Sequence, residues 1–377
     1  MDRARSAESV LGVFAAASER LRRLVPYDAA VWLANDPSMN LPAAPTRAEN
    51  MEERVRSVGF DALERFWEGE YLTSDFNTFS ELGRAAAPAA GLSLSTGGRP
   101  SRSTRFREVL DLKGFSDELR AVLRVDGVPW ASLNLFRERG REPFESAEVD
   151  LVSRLSAPLA EAVRAQARPP LPSGSSGAER GPGLMMFAPE GELASANDEA
   201  LAWIDELPVD AWEKGARNGG QVGMGDLPLV LISTVLRARA SALHGEGGTC
   251  RTRMRSTAGR WLVCHASCLR DPQGMVGNTA LVIEAAKSSE IAPIIVQAYE
   301  LTAREREITQ LVSHGASTAE MAERLFLSPH TVRDHLKAIF EKLGVSSRGE
   351  LVAKLFAEHY APIHLAPANA QWANDPL

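Results

Sequence analysis

A chain of 377 residues is too long for one ordinary domain, and two or three are expected. Hydrophobic residues at 44% and charged residues at 24% describe a soluble globular protein with ample core material. The net charge of −7 gives no global pull toward nucleic acid, so any such affinity must come from a local patch.

The first residues, MDRARSAESVLG, carry no long apolar run and no small-residue cleavage site, so no signal peptide is read. The longest strongly apolar stretch, Leu227 to Leu236, contains Pro228 and is too short to span a bilayer. Cys250, Cys264 and Cys268 are too few for a disulfide framework and suit a reducing compartment. A cytoplasmic protein without a membrane anchor is expected.

In the first segment, residues 6–166, Val10, Val13, Phe14, Leu21, Leu24 and Val25 fall at helical spacing and open the chain with an amphipathic helix. Ala29 to Leu33 reads as a strand. Leu119–Val125 and Trp130–Phe136 read as a hairpin around Asp126-Gly127, with a loop longer than two residues. Ser146 to Ala167 closes the segment as a helix. The Pro/Gly/Ser-rich run from Arg168 to Gly183 marks a flexible linker, drawn at 167–182.

The second segment, residues 183–286, starts with strands at Leu184–Phe187 and Glu192–Ala196 around a Pro189-Glu190-Gly191 turn. Asn197 and Asp198 cap a helix running to Glu206, and Pro228–Leu243 reads as a longer helix. Three strands follow, at Thr249–Arg255, Trp261–Leu269 and Thr279–Glu284, while Val209–Asp226 is Gly-rich and irregular.

These orders of elements resemble known sensor folds. The run Ser101–Val152 and the helix–strand–helices–hairpin–helix order resemble a GAF-type domain. The phrase GLMMFAPEGELASANDEALAWI and the order of two strands, helices and three strands resemble a PAS domain. Both resemblances imply α+β sensor-type domains through which a small molecule or a partner controls the protein.

The C-terminal segment, 297–360, has the most consistent local chemistry. Thr302 with Glu305 forms a capping box, Ile308, Leu311 and Val312 give a buried face, and Gly315 stops the helix. Ser317 with Glu320 starts a second helix, on which Ala319, Met321, Ala322 and Leu325 allow close approach, and Phe326-Leu327 packs the following turn. Ser328 caps a third helix with Pro329 at its first position, burying Val332, Leu336, Ile339, Phe340 and Leu343 before Gly344. Ser347 with Glu350 starts a fourth. Four short helices, the second and third joined by a tight turn, have the helix-turn-helix plan.

The residues LTAREREI, SHGASTAEMAERLFLSPHTVRDHLKAIFEKLGV and SRGEL closely resemble the LuxR/NarL-type DNA-binding domain. The expected fold class is therefore multidomain α+β, with two sensor-type domains followed by an all-α four-helix domain and a disordered tail over 361–377. The resemblance implies a sequence-specific transcriptional regulator that binds double-stranded DNA, with no catalytic residues, cofactor or metal. RNA polymerase and a small-molecule effector are its candidate partners.

On the third helix, His330, Arg333, Asp334 and Lys337 lie off the apolar face and are expected to face the major groove, Arg or Lys at guanine; Asp334 departs from the uncharged polar residue the family often carries and either reads cytosine N4 or lowers affinity. Thr331, His335 and Lys342 sit where the family meets or borders phosphate. Ser317 and Thr318, Ser328, and Arg348 complete the expected contacts at helix starts. Residues 297–360 hold eight Lys/Arg against nine Asp/Glu, so one copy binds weakly and a homodimer on paired half-sites is expected.

Other classes fit less well. The C-H-x-x-C of Cys264, His265 and Cys268 lacks a second pair at zinc spacing and reads as small residues in a sheet. No phosphate-binding loop G-x-x-x-x-G-K-[ST] and no receiver-type acidic pair occur. The aromatic residues Trp32, Phe60, Phe66, Trp67, Tyr71, Phe76, Phe79, Phe106, Phe115, Trp130 and Phe136 read mainly as core, some as lining for a small-molecule pocket. A sigma-factor-like protein would need a helical region where strands are read, and a non-DNA adaptor is the remaining alternative.

Overall fold

The computed structural model describes residues 9–51, 61–167, 180–189, 191–208, 227–245, 248–287, 290–291, 294, 297–299, 301–313 and 315–352. Most of the expected linker, the Gly-rich stretch 209–226, Phe60 and the tail after Tyr360 lie outside them.

The chain divides into two units, one containing residues through Gln166 and Arg180–Ala286, the other containing those from Lys287 onward. In the first, helix α1 (Val10–Leu24) is capped by Ser9, whose hydroxyl accepts from Gly12 N–H at 3.1 Å. Strands β1 (Ala29–Asp36) and β2 (Leu41–Glu49) follow, then α2 (Asp61–Tyr71), α3 (Phe79–Arg84) and the short β3 (Ala89–Gly91). Strands β4 (Phe115–Val125) and β5 (Val128–Glu138) precede the long helix α4 (Ser146–Gln166).

The β4–β5 turn differs from the sequence reading. Val125 pairs with Val128, so the loop is the two residues Asp126 (φ 53°) and Gly127 (φ 75°). Two central residues at positive φ are what a type I′ turn requires, and its twist matches that of the strands. Pro129 hid this continuity, because proline in a strand interior argues against a strand. Here it sits beside a register shift between Leu123 and Arg124.

Beyond the linker come β6 (Gly183–Phe187), β7 (Leu193–Ala196), α5 (Asp198–Asp205), α6 (Leu229–Leu243), β8 (Thr249–Arg255), β9 (Trp261–Arg270) and β10 (Val276–Ala285). The two antiparallel sheets run β2-β1-β5-β4-β3 and β7-β6-β10-β9-β8, the same 2-1-5-4-3 order within each. Cys264 is buried and Cys268 half-buried on β9.

Helix α6 explains how the sheets come together. Leu229, Leu231, Ile232, Val235 and Leu236 are buried, and so are Ser233, Thr234 and Ser241 on other faces. A helix covered all round needs neighbours on every side. It packs on β8, β9 and β10 and also on β2 and α2. Next to it, Asp36 of β1 accepts from Arg253 of β8 through Nε at 2.8 Å, Nη2 at 3.0 Å and backbone N–H at 2.9 Å, fully buried. Among the described residues no helix is long and apolar enough to cross a membrane.

The second unit contains α7 (Ala303–Ser313), α8 (Thr318–Leu325) and α9 (Pro329–Leu343), with α7 and α8 both packed on α9. A further helical segment begins at Arg348, with Leu351 buried.

Candidate nucleic-acid interface

Each helix of the C-terminal unit starts where local polar chemistry dictates. Thr302 Oγ1 accepts from Glu305 N–H at 3.2 Å and Glu305 Oε2 accepts from Thr302 N–H at 2.7 Å, a complete reciprocal box. Ser317 and Glu320 repeat it at 3.2 and 2.6 Å. The Ser317 backbone N–H above all holds the Glu320 carboxyl below its ordinary pKa. Ser328 Oγ accepts from Thr331 N–H at 3.0 Å, and Pro329 takes the first position, where its missing N–H costs nothing. The fourth start is shared: Ser347 Oγ accepts from Glu350 N–H, while Glu350 Oε2 reaches Ser346 instead, at 2.7 Å from its N–H.

The α8–α9 turn corrects two expectations. Ala319 is exposed, and the close contact is made by Met321 and Ala322, both buried. Phe326 ends α8 in the left-handed conformation (φ 54°) and is 96% exposed, so it does not pack the turn. Half-buried Leu327 does, its N–H donating to Ala322 O at 2.9 Å. The left-handed residue turns the chain sharply, and one of the pair must then face outward.

Helix α9 buries Val332, Leu336, Ile339 and Leu343, and Gly344 (φ 64°) closes it. The opposite side carries His330, Arg333, Asp334 and Lys337, all exposed. Their spacing of three, one and three residues places them on one stripe. His330 Nδ1 and Asp334 Oδ2 stand 3.0 Å apart. Arg333 and Lys337 make no ion pair among the described residues. No acidic residue lies in the first turn of α9, so the positive end of its dipole is not neutralised from within.

The remaining expected residues divide. Ser317 and Ser328 are exposed at their helix starts, and Thr318, Thr331 and His335 are half-buried beside them. Lys342 and Arg348 are engaged inside the unit. Lys342 Nζ donates to Glu305 Oε2 at 2.6 Å, and Arg348 Nη2 donates to the Ala316 carbonyl and lies 4.0 Å from Met321 Sδ. Neither tie has a local spacing signal, being 37 and 32 residues long. No group of three or more His, Cys, Asp or Glu among the described residues could hold a metal ion.

Residues 299–355 match the model of the bacterial regulatory proteins of the luxR family. The spore germination protein GerE of Bacillus subtilis is 44% identical over 55 residues, which cover 15% of this chain and 74% of GerE. An HTH-type transcriptional regulator of Mycobacterium bovis is 50% identical over 52 residues, 14% of this chain, and the chain spans only 6% of that relative's length. The solved structure of SdiA in complex with octanoyl-rac-glycerol aligns over 96% of this chain and 93% of its own, at 13% identity and a TM-score of 0.30.

Proposed function

The chain belongs to the luxR family of bacterial regulatory proteins, and from that premise we infer that it is a sequence-specific DNA-binding transcriptional regulator. The observation that carries the reading is the exposed stripe His330–Arg333–Asp334–Lys337 on a helix whose other side is buried. A helix so presented fits the major groove. There Arg333 and Lys337 donate to guanine O6 and N7, and Asp334 accepts from cytosine N4, with His330 held beside it. Ser317, Thr318, Ser328, Thr331 and His335 border the phosphates.

The start of α9 is the stronger anion site, because Glu320 already occupies the Ser317 N–H. With Lys342 and Arg348 committed internally, one copy offers few free cations. This supports a homodimer on half-sites about one helical turn apart. We assign residues 6–166 to a GAF-like and 183–286 to a PAS-like domain, joined by the linker 167–182. Two five-stranded antiparallel sheets of the same order support this assignment. In this reading a small molecule held by that part controls how two DNA-binding heads (297–360) are presented, in the cytoplasm, to promoters and RNA polymerase.

The test is selection of the full chain on a random duplex pool. A recurring (pseudo)palindrome is expected. Arg333→Ala should weaken binding by about 1–3 kcal/mol and relax one base position, whereas Lys342→Ala should leave base preference unchanged. No enrichment at low salt would remove the DNA-binding reading.

A further inference from the structure

The first sheet covers a knot of charge that the sequence gives no reason to expect. Glu70 of α2, Asp75, Arg105, and Glu118 and Arg120 of β4 have side chains only 0–1% exposed. Arg105 Nη2 reaches Glu118 Oε2 at 2.8 Å, Arg120 Nη1 lies 2.9 Å from Glu70 Oε2, and Arg120 Nε donates to Asn134 Oδ1 at 3.0 Å. The rings of Phe66 and Phe79 wall the knot, with the Arg120 guanidinium 3.9 Å from the Phe79 centroid.

Buried polar groups are almost always hydrogen-bonded, and those that are not call for an explanation. Here several are not. Among the described residues Arg105 Nη1, Arg120 Nη2, Asn77 Nδ2 and Trp67 Nε1 make no hydrogen bond, Arg105 Nη1 standing 3.6 Å from Asp75 Oδ2, while Glu118 Oε1 has Arg120 Nε no nearer than 3.8 Å and Glu70 Oε2 has the Arg120 Nη1 ion pair alone. Arg137, a buried arginine of the same sheet, shows what a purely structural guanidinium looks like. It donates to the carbonyls of Pro26, Glu142 and Pro143 and pairs with Glu148 at 2.6 Å.

Two backbone features adjoin the knot. Asn77 holds a positive φ of 57°, and a π-helical turn, Phe106–Leu110, directly follows Arg105. Both kinds of irregularity concentrate at functional sites.

We propose that this cluster binds a small zwitterion of the α-amino-acid class, its carboxylate taken by Arg105 and Arg120 and its ammonium by Glu70 and Glu118. The inference rests on the reading that a small molecule controls the regulator. The charge count selects the class. Three carboxylates against two guanidiniums leave the knot one charge negative when all are ionised. A simple carboxylate would deepen that imbalance, and a simple amine would leave the four donors unmet. A zwitterion meets donors and acceptors without adding net charge. A guanidinium fork matches a carboxylate in geometry as well as charge, and the aromatic wall accepts an apolar side chain.

The experiment titrates the full chain with each protein amino acid at about 5 mM, following thermal midpoint and heat of binding, beside the matching decarboxylated amines and deaminated acids. One or a few amino acids should raise the midpoint, and their amines and acids should bind at least about tenfold more weakly. Arg120→Met should abolish the effect. Asn77→Gly removes only a side chain, at a backbone angle glycine adopts freely, and should weaken binding about tenfold. No amino acid shifting the midpoint, or undiminished binding by Asn77→Gly and Arg120→Met, overturns the site. DNA affinity measured in the same samples separates the two readings. Amino-acid binding that leaves it unchanged upholds the site and overturns control through it. Absence of binding in a protein that still selects DNA overturns the site alone.

Discussion

Each unit has its own internal polar contacts, and the two units differ in how far along the chain the buried ones reach. In the C-terminal unit the bonds that start the helices span three residues, as in Thr302–Glu305, Ser317–Glu320 and Ser328–Thr331. The N-terminal unit caps its helices in the same way but adds buried side-chain bonds between strands that span far more: Asn35 to Ser132 across 97 residues, Arg253 to Asp36 across 217. Local bonds set where elements begin. Long-range bonds set which elements meet, and there a lost partner strands a buried charge.

The largest effect expected from this difference is at Asp36. Asp36→Ala leaves the Arg253 guanidinium buried without its carboxylate and should cost about 3–5 kcal/mol in urea unfolding. Replacing both, Asp36→Leu with Arg253→Met, should recover part of that loss. A small effect for Asp36→Ala alone would mean that the contact between β1 and β8 is dispensable. Next is Ile232→Ala on α6. Ile232 is wholly buried in the core that both sheets share, and about 2–5 kcal/mol is expected. If the sheets unfold separately, this substitution should still lower both transitions, because α6 packs on strands of each.

Range also decides what could be read from the sequence. The caps of α7, α8 and α9 and the stripe on α9 follow from residues three and four apart, so they were legible in full. So were the strands β8 and β9 and the helix α4. Lys342 and Arg348 read as phosphate contacts because nothing near them in sequence signals the Glu305 and Ala316 partners. Phe326 reads as a packing residue because a left-handed backbone is not visible in the side chain. The knot around Arg120 was invisible for the same reason, since Glu70, Arg105 and Glu118 meet it only through the fold.

Asn197 and Ser328 sharpen the contrast between two caps. Among the described residues, Ser328 Oγ accepts from one backbone donor, Thr331 N–H of α9. Asn197 Oδ1 caps α5 through Ala200 N–H at 3.0 Å and also accepts from Leu184 N–H on β6 at 2.8 Å, while its Nδ2 donates to Pro182 O. Asn197→Ala should therefore cost about 2 kcal/mol and Ser328→Ala about 1 kcal/mol, by urea unfolding and by hydrogen exchange over α9. Equal losses would mean that the tie to β6 contributes nothing.

Glu305 joins both habits, since it closes the α7 cap locally and holds Lys342 of α9 from afar. Burial pushes its carboxyl pKa up, but the Lys342 and Thr302 hydrogen bonds outweigh burial, and the net displacement is downward. A carboxylate whose folded pKa is depressed stabilises fully above its unfolded value of about 4.3, and that contribution is lost as pH falls through the folded value. Glu305→Gln keeps a residue suited to the capping box and removes only the charge. The expected loss is roughly 0.5–1 kcal/mol at pH 7, because Lys342 remains partly exposed to water. Hydrogen exchange over residues 303–313 should show the gap between Glu305→Gln and wild type closing as acid titrates the wild-type carboxyl. A gap that stays constant through that range would assign the effect to the shape of the cap, and the tie from Glu305 to Lys342 would then contribute nothing.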